Sequence, residues 1–183
     1  EDFANKGYFS EGIASNVWPA GQNQELAMGT AAMYLNGSWL PNEVKDMAGD
    51  DFRWGCFSYP AVEGGTDGTE AANFGAQVLA INKDSKNAEA AFQLITYLTK
   101  GEFDKKLSVE SVGIPSDSTN TEWPVQIACV KPVMESLTTR YPWAAGAEDN
   151  VDMTPIIKEN MMKLCGGSIT ADEFVANLQA AGK

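Results

Sequence analysis

The groups in this chain that could do chemistry are carboxylates, aromatic rings, amides and three thiols; histidine is absent. That absence removes Ser-His-Asp and Cys-His catalysis, imidazole metal ligands and the usual proton shuttle near neutral pH. A catalyst built from this sequence would have to run on carboxylates, Lys, Tyr or a bound metal. Asp51, Glu148 and Asp152 are the loop carboxylates that such a catalyst would draw on. Cys56, Cys129 and Cys165 show no Cys-x-x-Cys spacing, so neither a zinc site nor a thioredoxin-like motif is supported. They read as small buried thiols, with one disulfide plus one free thiol left open. Residues 63–69 read as a glycine-rich surface loop, and Gly64-Gly65 lacks the GxxxxGK(S/T) or GxGxxG pattern that cradles phosphate. Residues 148–152 hint at a calcium loop but have neither the glycine nor the terminal Glu of an EF-hand, and read as a solvated acidic loop. No catalytic residue, metal site or cofactor is expected.

The chain has 183 residues. At roughly 150 residues per domain, that allows one domain or one and a fraction. Twenty-five acidic residues against thirteen basic ones leave a formal charge of -12. That charge argues against nucleic acid, which demands a Lys/Arg surface, and against an anionic membrane; neutral or cationic ligands remain. Five Trp, five Tyr and eight Phe supply large surfaces to bury or to line a pocket. The longest apolar runs, 77–81 and 88–98, fall far short of the roughly 20 residues of a spanning helix. The chain opens at Glu1 without Met and reads as a processed or excised piece.

The elements that must position these groups are short strands early and helices late, an α/β class. Buried strands are expected at 31–35, at 52–57 with aromatic alternation, and at 77–81. A helix end is expected at 2–7 and a short helix at 22–28. Ser38 is the expected N-cap of a helix over 39–48, with Pro41 in its first turn. Asn87 is the expected cap of an amphipathic helix with apolar Ala88, Ala91, Phe92, Leu94, Ile95 and Leu98 on one face, and a second helix runs to about 109. Later helices are expected over 125–137, kinked or split by Pro132, and over 156–164. A last one follows the capping box Thr170-Ala171-Asp172-Glu173 and buries Phe174, Val175 and Leu178.

Three stretches in order carry a resemblance. They are Ala31-Ala32-Met33-Tyr34-Leu35-Asn36-Gly37-Ser38-Trp39; Trp54-Gly55 with Tyr59-Pro60-Ala61-Val62-Glu63-Gly64-Gly65; and 80–92 with Leu98-Thr99 and Gly113-Ile114-Pro115-Ser116. Together they resemble the C-terminal part of extracellular solute-binding proteins of ABC importers, in the carbohydrate-binding subfamily that includes maltose-binding protein. The resemblance implies a periplasmic-binding-protein-like (type II) fold, two α/β lobes that close over a ligand, with the first half of a full member not represented. Residues 1–74 then belong to the C-terminal lobe. Residues 75–112 make the hinge crossing and a segment of the N-terminal lobe, and 113–183 return to C-terminal lobe helices. The partners that the resemblance implies are a carbohydrate, specifically an oligosaccharide, and an ABC permease in the membrane. A dimer or swapped association of the piece is a further expectation. The implied location is the extracellular face of the bacterial membrane or the periplasm, with a lipid anchor on the full-length protein.

By the same resemblance, Trp39 stacks on a sugar ring; the alternative is a Trp packed in the core. Asn36 either bonds a hydroxyl or shapes the turn, since Asn-Gly favours turns by itself. Asn73, Phe74 and Gly75 stand just before the crossing strand, either at the ligand or in a plain loop. Trp143 and Asp152 lie in an irregular stretch where the family has a cleft-lining segment. Trp18 and Trp54 read as packing residues. Two other functions stay open: a glycoside hydrolase with two carboxylates roughly 5–9.5 Å apart, and the same fold tuned to a peptide, a polyamine or a metal chelate.

Overall fold

The computed structural model describes residues 1–142 and 152–182. In chain order its helices are α1 Asp2–Asn5, α2 Ala20–Ala27, α3 Leu40–Ala48, α4 Ala88–Leu98, α5 Gly101–Ser111, α6 Val130–Ser136, α7 Met153–Cys165 and α8 Ala171–Ala181. A 3-10 turn spans Val125–Ile127, and the strands β1 Ala71–Phe74 and β2 Thr139–Pro142 pair in a two-stranded sheet. The chain is thus mixed α/β but mostly helical. It divides into two compact units, one of Glu1–Leu35 with Pro142–Lys183 and one of Asn36–Tyr141.

In the first unit α7 packs on α8, and α1 also meets α7. Thr170 closes the capping box as its sequence predicts: its Oγ1 accepts from the Glu173 N–H at 3.2 Å, and Glu173 Oε2 accepts from the Thr170 N–H at 2.8 Å. Buried Asn160 donates to the Ile156 carbonyl and accepts from Asn177 Nδ2 at 2.8 Å, tying the two helices by a satisfied polar pair. Phe174 and Leu178 are half-buried, whereas Val175, expected inside, is exposed.

In the second unit the buried apolar residues are Leu40, Val44, Val112 and Ile127. Leu40, Pro41 and Val44 form the buried stripe of α3, the i, i+4 spacing of one helical face. The 125–137 helix is split as expected, but the break falls at Ala128-Cys129, and Pro132 sits in the first turn of α6, where its missing N–H costs little. Between α5 and the 3-10 turn the chain is locked by Asp104, a buried carboxylate on α5. It accepts from the Ser116 N–H at 2.8 Å, the Asp117 N–H at 3.2 Å and Asn120 Nδ2 at 3.2 Å.

Three sequence expectations fail. None of 31–35, 52–57 and 77–81 is a strand, and all three are largely exposed. An apolar run supplies side chains for a pleated face, but a strand also needs a neighbour for its backbone N–H and C=O groups, and these runs have no ladder. The alternation at 52–57 survives locally, since the Phe52 and Trp54 rings meet at a tilt with centroids 4.7 Å apart. On α4, Phe92 and Leu94 are exposed rather than facing a core.

Candidate ligand-binding site

The turn before α3 is built from its own residues. Asn36 Oδ1 accepts from the Gly37 N–H at 2.7 Å, and the Gly37 carbonyl accepts from the Leu40 N–H at 3.1 Å. Ser38 is not the N-cap; Trp39 takes that position in an αR conformation, with no side-chain cap. Its carbonyl accepts from the Asn42 N–H at 3.0 Å. The indole folds back over Gly37 so closely that a Cβ there would meet its Cζ3, Cη2 and Cε3 atoms at 2.1 to 2.4 Å. Only glycine admits that approach. Even so, Trp39 is 43% exposed.

The second candidate segment lies on and after β1. Asn73 and Phe74 end the strand, Gly75 follows, and all three are exposed. The Arg140 guanidinium from β2 stands 5.3 Å from the Phe74 ring centroid, a cation–π contact that covers one face of the ring. Nearby on the same strand, Tyr141 Oη donates to Asp67 Oδ2 at 2.5 Å. That hydrogen bond, then the carboxylate charge, holds the Tyr141 phenol above its ordinary range. Neither Arg140 nor the Asp67–Tyr141 pair was legible as a contact in the sequence, because each spans the long separation between β1 and β2.

Asn36, Trp39, Asn73, Phe74 and Gly75 therefore belong to the second unit, and Asp152 to the first. Asp152 is the exposed N-cap residue of α7, with no side-chain cap bond. Trp143 lies outside the described residues, as does the acidic loop from 148 to 151. Two open clefts occur within units. One of about 410 Å³ is lined by Asn16, Gln24, Glu25 and Met28 among others, and one of about 240 Å³ by Lys105, Asp117 and Glu122 among others. Neither includes a sequence-predicted site residue. Among the described residues no three His, Cys, Asp or Glu side chains come together to hold a metal.

The family model for the bacterial extracellular solute-binding protein matches residues 1–102. The match covers more than half of the chain and includes Asn36, Trp39, Asn73, Phe74 and Gly75, so the chain belongs to that family. Comparison with curated proteins and with solved structures finds no match. Membership supports a substrate-binding component of an ABC transporter, of an extracellular and typically non-enzymatic kind, with a ligand and a membrane permease as partners. Among the described residues no helix is long and apolar enough to cross a membrane.

Proposed function

We propose that the solute is a carbohydrate, an oligosaccharide, held without covalent chemistry and with the Trp39 indole as a stacking platform. The observation that carries this reading is the state of that ring: packed on Gly37 at the start of α3, yet 43% exposed. A sugar presents C–H patches on its ring faces and hydroxyls at its edge, and a pre-positioned indole covers such a patch at low entropic cost. Asn36 and Asn73 supply amides for hydroxyls. Phe74, with Arg140 over one face, offers its other face, and Gly75 lets a ligand approach the backbone. Residues 1–74 and 113–183 belong to the C-terminal lobe and 75–112 to the hinge crossing and the N-terminal lobe of a type II fold. Sugar binding stabilises the closed form by its differential affinity for the two states, and the permease recognises that form. A lipid anchor holds the natural protein at the cell surface.

The net charge of -12 favours one other ligand class, a cation such as a polyamine. The natural protein carrying this sequence is titrated with an oligosaccharide panel, followed by Trp fluorescence and calorimetry, beside a thermal-shift panel of peptides and polyamines. A sugar should bind, and Trp39→Ala should weaken it by about tenfold or more. Silence to every sugar, with a melting shift from a polyamine or peptide, overturns the carbohydrate reading. Turnover of aryl glycosides would instead favour a hydrolase.

A further inference from the structure

Cys56 and Cys129 are far apart in the sequence, and the fold of the second unit makes their side chains interacting neighbours. Cys56 lies in the irregular stretch that follows α3, and Cys129 is the N-cap residue of α6. Cys165, the last residue of α7, belongs to the other unit. All three are thiols in this structure, and Cys56 is exposed rather than buried as its residue type suggests.

The surroundings give such a pair a purpose. The buried apolar residues described in this unit are few, and the stretch bearing Cys56 has no ladder to hold it. A covalent link to α6 would tie that stretch beside Ile127, which is fully buried two positions before Cys129. Domains with small cores gain most from such staples, and the long loop closed here removes much unfolded-state entropy. The family is extracellular, where disulfides persist.

We propose that Cys56 and Cys129 close an intrachain disulfide by exchange with a low-molecular-weight disulfide, and that Cys165 stays a thiol. One protein thiolate attacks a sulfur of the small disulfide, forming a mixed disulfide and releasing one small thiolate. The second protein thiolate then attacks the protein sulfur of that mixed disulfide and displaces the other small thiolate. Two protein S–H groups and one small disulfide become one protein disulfide and two small thiols, which carry the protons. Partial desolvation of its sulfur, then the neighbouring Cys129 thiol, push the Cys56 thiol up to about 12. Closure is therefore faster as pH rises, because only the thiolate attacks.

The test is independent of which solute binds. The chain is incubated with glutathione disulfide, quenched with iodoacetamide and mapped by non-reducing peptide mass spectrometry. The expected map joins the Cys56 and Cys129 peptides and shows Cys165 alkylated. Cys165→Ser should keep that link, and Cys129→Ser should abolish it and leave Cys56 as a thiol or a glutathione adduct. Three alkylated cysteines after oxidation, or a link through Cys165, overturns the proposal.

Discussion

The α7–α8 pair of the first unit and the stretch from 49 to 81 in the second show two ways a chain can satisfy itself. Each helix of the pair carries its partners nearby. Thr170 and Glu173 cap each other three residues apart, and Lys163 pairs with Glu159 one turn away at 2.6 Å. At the end of α7 the Ser168 N–H reaches back to the Lys163 carbonyl at 2.8 Å while Gly167 adopts φ +70, a glycine turn that stops the helix. The 49–81 stretch has local turns, such as Gly65 N–H to the Val62 carbonyl at 2.8 Å, but its only strand, β1, borrows its partner from 139–142. Helices are local bargains between neighbours, whereas extended segments depend on what the rest of the chain brings to them.

The sharpest way to break this contrast is at Asp104, where the second unit makes its own compact lock. Asp104→Ala leaves the Ser116 and Asp117 N–H groups and the Asn120 amide without their buried acceptor. Three part-buried donors that lose a charged acceptor cost about 3 kcal/mol together, even allowing for relaxation. Urea denaturation should report a loss of that order, and hydrogen exchange should show the Ser116 and Asp117 amides losing protection. Asp104→Asn should fare little better, because its NH2 faces donors. A change below about 0.5 kcal/mol would mean that the turn holds itself.

The same contrast explains what could be read in advance. The Thr170 capping box, the start of α3 within one residue and the amphipathic α4 span were legible because their signals lie within a turn of each other. The strands were not. The runs at 31–35, 52–57 and 77–81 had the right side chains, while the residues that actually pair, Ala71–Phe74 with Thr139–Pro142, carry no strong alternation. At the site, a Trp placed beside a turn was readable at Trp39. Its closure onto Gly37, the Arg140 contact with Phe74 and the Tyr141–Asp67 bond depend on packing or on pairing across a long separation.

In the first unit, Thr170→Ala removes one acceptor and half of a reciprocal cap. The expected cost is about 1 kcal/mol, less than at Asp104, because the α8 N-terminus is exposed and water can replace the lost acceptor. Denaturant titration with circular dichroism measures it, and Thr170→Ser should restore most of the loss. An equal cost for Thr170→Ala and Asp104→Ala would erase the difference between a local cap and a buried lock.

The smallest effect is expected in acid, at Asp117. The Gly101 N–H at the start of α5, then the Thr119 hydroxyl and amide, lower its carboxyl from 3.8 to about 2. A group whose folded value lies below its unfolded one favours folding when charged. Its contribution is therefore present above about pH 4 and lost as pH falls toward 2. Because this carboxylate is solvent-exposed, water and salt screen it, and the loss should be slight. Hydrogen exchange at the Gly101 amide, followed from neutral pH down to about 2, should quicken across that window beyond the intrinsic pH trend. Asp117→Asn should flatten the excess by removing the titrating group. An unchanged pH profile in Asp117→Asn would mean that the α5 N-terminus is held by the Asp104 lock alone, and the contrast between units would then rest on that single buried carboxylate.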